Sequence, residues 1–176
     1  PVKWSASKNV KWRISLPFPG HSTPVVSRGR LFLTCANQKG TQRGLYCFDR
    51  RTGKQLWKRT VSFPTVEATH KTNPYGASSP TTDGERVYAS FGSRGLLAVD
   101  FDGNVVWHRD LGQIENYHGP AGSPLLYGDT VIIYQDQGAS FGAGGINRGA
   151  AGAFVIALDA ETNPSPVDEY GWGDNR

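Results

Sequence analysis

Short apolar bursts, each closed by a cluster of turn residues, follow one another along this chain. No stretch keeps a helical period over three turns. The clearest burst runs from Gly44 to Trp57. Leu45 to Phe48 are aliphatic, aromatic or small, as suits a pleated and largely buried strand. Asp49 to Gly53 supply a tight turn, with Gly53 able to take a positive φ. Lys54 to Trp57 form a second strand ending on a large ring. The phrase returns at Gly95 to Trp107 and begins a third time at Ala153 to Thr162. Three such hairpins in one short chain predict a repeat protein.

The rest of each unit repeats as well. Thr23-Pro24, Ser79-Pro80 and Ser123-Pro124 each open a short strand. A Gly-containing turn follows near residues 29, 84 and 128, and then a strand over Arg30 to Ala36, Arg86 to Phe91 or Val131 to Tyr134. The unit is thus about fifty residues with loops of variable length, and four antiparallel strands at that period are the signature of a β-propeller blade. The expected organisation is all-β, one partial propeller over 1–162: the end of one blade at 8–16, then blades at about 22–60, 78–110 and 122–162. Lys11 to Leu16 is expected to be the last strand of a unit, carrying Trp12 as the hairpins carry Trp57 and Trp107. After Thr162 the template wants Gly and a Trp-ended strand, but Asn163-Pro164-Ser165-Pro166 removes ladder donors, so 163–176 is expected to be an irregular tail.

Composition agrees with this pattern: 176 residues carry 22 Gly and 11 Pro with only 19% charged side chains, which favours short strands and turns over helices. No run of eighteen apolar residues exists, so no transmembrane segment is expected. The net charge is +4, but the basic residues are scattered singly or in pairs, so no nucleic-acid partner is expected. The sequence opens on Pro1 and has no Met, which predicts a piece of a longer frame or a chain that has lost a leader. Cys35 and Cys47 lie in successive strands, and a turn centred near Thr41 would set them opposite each other. They read as two buried core thiols or as a disulfide.

The phrase Tyr46-Cys47-Phe48-Asp49 through Thr52-Gly53 to Trp57, with Val99-Asp100 through Gly103 to Trp107 as a version one residue shorter, resembles the repeat of the PQQ-like (quinoprotein-type) β-propellers. Asn9 to Arg13 and Pro19 to Val26 are similar to the opening of large exported propellers of planctomycete-type bacteria. The resemblance covers roughly residues 8 to 162 and implies a structural repeat motif of Asp49, Thr52, Gly53, Trp57, Asp100, Gly103, Trp107 and Asp159, with each Trp docking on a neighbouring blade. Because such propellers usually have more blades, it also implies a fragment, marginal stability and exposed strand edges that favour association. An exported, periplasmic or cell-surface location is implied by the resemblance alone.

Loops between units and in mid-blade emerge on one face of such a fold. That face would collect His21, His70, Tyr117 and His118, the candidate binding residues, and the Gly-rich loop 137–152. Three His invite a metal reading, but their offsets from the following Pro differ, so no metal site is expected. Gly142 to Gly145 lacks the Lys-Ser/Thr and helix of a phosphate loop and reads as an insertion. His108, next to Trp107, is expected to be solvated. A quinoprotein dehydrogenase would call for an adjacent Cys pair and a Ca²⁺ site; no adjacent Cys occur, and Asp136 with Asn147 is too little for a Ca²⁺ cage. The expectation is a non-catalytic binding or scaffold module without a cofactor, whose partner is another protein or further blades of the same propeller. The alternative is part of a dehydrogenase using PQQ with Ca²⁺.

Overall fold

A computed structural model describes residues 2–116, 118–136, 140–142, 145–147, 153–161 and 173–175, and of 140–142, 145–147 and 173–175 the backbone alone. Blade 1 contains β1 (Val25–Ser27), β2 (Arg30–Ala36), β3 (Gln42–Asp49) and β4 (Gln55–Ser62), paired antiparallel in sequence order. Blade 2 repeats this with β5 (Thr81–Thr82), β6 (Arg86–Ser90), β7 (Leu96–Asp100) and β8 (Val105–Arg109). In blade 3, β9 (Leu125–Tyr127) and β10 (Thr130–Gln135) pair with each other and β10 with β13 (Phe154–Asp159). Between them β11 (Ser140–Gly142) and β12 (Gly145–Asn147) form a hairpin within the Gly-rich insertion. Where the sequence predicts an irregular tail, β14 (Gly173–Asn175) runs antiparallel beside β4 at Lys58 to Thr60. The other residues from 162 onward lie outside the described residues, as do most of those in the loop 137–152.

Period-two alternation builds the seams between blades. Phe32, Leu45, Cys47 and Trp57 of blade 1 meet Val87, Ala89, Leu97 and Val99 of blade 2 in one buried cluster. The opposite face of blade 2, with Tyr88, Leu96, Ala98 and Trp107, meets Val131 and Ile133 of blade 3. Leu33, Cys35, Tyr46 and Phe48, on the far face of blade 1, are covered by Ile14 and Phe18 of the N-terminal segment. That segment differs from the strand expected there, for Lys11 to Leu16 has no ladder partner among the described residues.

Trp12, Trp57 and Trp107 each dock on the turn of the following blade. Trp12 Nε1 donates to the Arg50 carbonyl at 2.9 Å, Trp57 Nε1 to the Phe101 carbonyl at 2.7 Å, and Trp107 Nε1 to the Ala160 carbonyl at 3.1 Å. The turn glycines make room for the rings. Gly53 and Gly103 hold φ of 75° and 86°, and a Cβ on either would stand 2.8 Å from the ring of Trp12 or Trp57. A register shift at the same place in both hairpins, between Cys47 and Phe48 and between Ala98 and Val99, leaves Leu56 and Val106 unpaired. These bulges re-aim the strand so that Trp57 and Trp107 face the seam, and explain why Leu56 and Val106 are exposed.

The turn carboxylates complete the motif. Asp49 Oδ1 accepts from both the backbone N–H and the hydroxyl of Thr52, at 2.7 Å each. Asp100 accepts from the backbone N–H and side-chain amide of Asn104, and Asp159 from the N–H of Glu161. On the inner edge, Thr23 N–H donates to Ser79 Oγ at 2.8 Å, and Ser79 N–H donates to Ser123 Oγ at 3.0 Å, one equivalent position to the next.

Two expectations are corrected. The β2–β3 ladder pairs Cys35 with Gly44 and Phe32 with Cys47, because the turn centres between Lys39 and Gly40 rather than at Thr41. The cysteines therefore lie on opposite faces of the sheet, both free and both buried. Burial pushes their thiols up, Cys35 to about 11 and Cys47 to about 12, so neither is a ready nucleophile. His108 is fully buried rather than solvated, since pairing with Leu97 turns it to the blade 1 side. Its Nε2 bonds the Arg94 carbonyl, and burial lowers its pKa.

Candidate functional site

Residues 37–41, 63–80, 91–95, 110–116 and 118–124 lie in the connections at one end of the blades and make up one face. It rests on a buried ion pair. Arg43, in β3, donates through Nη1 and Nη2 to both Glu67 oxygens at 2.7 Å, and neither side chain has any exposed surface. Arg43 Nε also reaches the Gly40 carbonyl at 3.1 Å, and Nη1 the Phe91 carbonyl at 3.1 Å. Its guanidinium lies 3.9 Å from the centre of the Phe63 ring and 4.5 Å from that of Tyr75. Glu67 accepts in addition from the N–H of Ser93, and its carbonyl accepts from the Tyr75 hydroxyl at 2.8 Å. A buried charge pair is tolerable only when its remaining donors and acceptors are met in this way. The two side chains thereby tie β3, the loop 63–80 and the β6–β7 connection together.

Above this pair lies an open groove of about 590 Å³, bordered by Pro19, His21, Gln38, His70, Lys71 and Tyr75 among others. Its floor is fixed by close backbone approaches: His21 and Ser22 N–H both donate to the Gly76 carbonyl, at 3.0 and 3.1 Å, and Ala36 N–H to Pro19. Gly40 packs so tightly on Tyr75 that a Cβ there would stand 2.5 Å from the ring.

A second hollow of about 240 Å³ lies toward blade 3, with Asn116, His118, Tyr134 and Asp136 in its wall. Asn116 donates to Asp136 at 3.0 Å, and the hydrogen bond to Asp136 raises the pKa of the Tyr134 phenol. Asn73 lines both hollows and pins the loops between them. The His118 carbonyl accepts from Asn73 Nδ2 at 2.7 Å, from the Thr69 hydroxyl at 3.2 Å and from the His70 N–H at 3.4 Å.

Of the four residues singled out in the sequence, His70 and His118 come together, with ring centres 6.0 Å apart. His70 Nδ1 pairs with the Thr72 hydroxyl at 2.8 Å. His21 shares the larger groove with His70 but does not line the hollow of His118. Tyr117 lies outside the described residues. Among the described residues no three His, Cys, Asp or Glu side chains converge on a point where a metal ion could be held. With Cys35 and Cys47 on opposite faces as well, these residues do not fit a quinone held beside paired cysteines and Ca²⁺. Sequence reasoning missed the Arg43–Glu67 pair. Its one signal is the repeated Arg-Gly before a buried strand, Arg43-Gly44 and Arg94-Gly95; nothing in the loop marks Glu67 as its partner.

The family model described as outer membrane protein assembly factor BamB matches residues 3–149. No curated protein matches the chain. Among solved structures, BamB from Moraxella catarrhalis is similar over 85% of this chain, with 14% identity and a TM-score of 0.53. The quinohemoprotein alcohol dehydrogenase ADHIIG from Pseudomonas putida HK5 is similar over 86%, with 20% identity and a TM-score of 0.56. A europium-containing methanol dehydrogenase is similar over 82%, with 13% identity and a TM-score of 0.57. The chain spans 36%, 20% and 23% of the lengths of these three proteins, and the likeness is one of fold.

Proposed function

Since the chain belongs to the PQQ-like propeller family described as outer membrane protein assembly factor BamB, we propose that it is a non-catalytic binding module of the bacterial cell envelope that meets its partner through the loop face. One observation carries this reading: the face is a groove held in shape from below by the fully buried Arg43–Glu67 pair, a preformed platform rather than a cluster of reactive groups. The polar atoms on it serve mostly to hold loops, as Asn73 and Thr69 do at the His118 carbonyl. An envelope location follows the family description and is part of the proposal.

A second surface suits further blades of the same kind. Leu125, Tyr127, Tyr134 and Val155 stand exposed on the face of blade 3 that corresponds to the covered Tyr88–Trp107 face of blade 2. The proposal assigns that face to another blade.

Titration of the chain with PQQ in the presence of Ca²⁺, followed by Trp fluorescence, tests the non-catalytic reading. No saturable binding is the expected result. A bound and redox-active quinone would overturn it in favour of a dehydrogenase role, the kind of protein two of the structural relatives are.

A further inference from the structure

The larger groove on the loop face has a one-sided chemistry. His21, Gln38, His70, Lys71 and Thr72 supply an ammonium, imidazole, amide and hydroxyl groups to its wall, and among the described residues no Asp or Glu lines it. Glu67, whose carbonyl holds the hydroxyl of the wall residue Tyr75, is fully buried and its carboxylate is taken up by Arg43 and the Ser93 N–H. An ammonium with no carboxylate beside it favours an anion, and a concave wall concentrates that field. The groove volume, about 590 Å³, is in the range of an extended ligand of several groups and far beyond one inorganic anion. Pro19, Pro74 and Tyr75 add apolar rim on which the stems of long side chains can lie.

From this geometry we infer that the groove is a site for an acidic peptide segment, whose carboxylates meet Lys71, His21 and Gln38 while its aliphatic stems lie against Pro19, Pro74 and Tyr75. The inference rests on the reading of the loop face as the binding face, and it names the ligand chemistry that reading leaves open. Binding is electrostatic and partly exposed, so it weakens with salt.

The test uses the full chain and a fluorescein-labelled Glu-rich hexapeptide, with fluorescence anisotropy as the readout. Lys71→Glu is compared with Lys54→Glu, an identical charge change in the β3–β4 turn at the opposite end of blade 1. The expected result is saturable binding that falls about tenfold or more in Lys71→Glu, stays within about twofold in Lys54→Glu, and is blocked by filling the groove with Thr72→Trp. Near-ultraviolet circular dichroism of each variant verifies that the fold is kept. Absence of peptide binding overturns the inference, and so does an equal loss in both Lys variants, which reports net charge alone. A Gln-rich hexapeptide separates the two levels. If it binds as well as the Glu-rich peptide and Thr72→Trp blocks it, the loop-face reading stands and the acidic ligand is wrong.

Discussion

Arg43 and Glu67 face each other through two 2.7 Å hydrogen bonds with both side chains wholly buried, one on a blade 1 strand and the other in the loop leading to blade 2. No repeat links the two positions; their meeting makes the loop 63–80 part of the core. Removing one partner leaves an uncompensated charge in the interior, so Glu67→Leu is expected to cost about 3–5 kcal/mol of unfolding free energy. Arg43→Met with Glu67→Leu removes both charges and is expected to cost much less than the sum of the single changes. Urea unfolding of the four proteins gives the coupling directly.

The Trp docks make a second prediction. Trp57 is 5% exposed and closes the first seam over Gly103. Trp57→Ala is expected to lose about 3–5 kcal/mol. Trp57→Phe keeps most of the ring but gives up the bond to the Phe101 carbonyl, a loss nearer 1 kcal/mol plus a packing cost. Gly103→Ala meets the same ring from the other side at positive φ and is expected to destabilise by more than about 1 kcal/mol. Thermal and urea unfolding check the order of the three.

Asp49 and Asp83 set the acid limb of stability. The hydroxyl and backbone N–H of Thr52 hold the Asp49 carboxyl below its ordinary range. Burial raises Asp83, but the N–H of Arg86, the Tyr88 hydroxyl and the N–H of Glu85 together outweigh it and leave it lowered. A carboxyl lowered by folding adds stability that is fully present above its unfolded pKa and disappears as pH falls through the folded one. Stability is therefore expected to decline below the ordinary carboxylate range. Asp49→Asn should flatten that decline, since its side chain no longer takes up a proton. Unfolding free energy measured from neutral to acid pH tests this, and an unchanged slope in Asp49→Asn would contradict it.

What could be read from the sequence was what repeats. The Asp, Gly and Trp of the first hairpin recur in the second and the Asp again in the third, with the strands around them, and the same local forces shape each copy, so three sheets and their order could be anticipated. The family match and the structural likeness agree with the propeller expected from the motif. Features made by one copy alone were not legible. The β2–β3 turn is centred by Asn37, which bonds the Thr41 hydroxyl and the Gln42 N–H, and this local choice separates Cys35 from Cys47. His108 is buried by its register with Leu97 and the Arg94 carbonyl, whereas its counterpart Lys58 is only half-buried. At the candidate site, the loop residues were identifiable as loop, but which of them meet depends on Glu67 reaching Arg43, a pairing across 24 residues that no periodicity encodes.

Hydrogen–deuterium exchange across the loop face, in the native chain and in Glu67→Gln, tests most directly whether that face is a preformed binding platform. The N–H groups of His21, Ser22, Gly40 and Ser93 are predicted to exchange slowly in the native chain, because Ser93 donates to Glu67, His21 and Ser22 donate in the groove floor, and Gly40 donates to Asn37 in the turn that Arg43 braces. In Glu67→Gln they are expected to speed up by tenfold or more while the β6–β7 ladder stays protected. Native-chain exchange at those four positions as fast as at the exposed turn residue Asp102 would contradict the prediction.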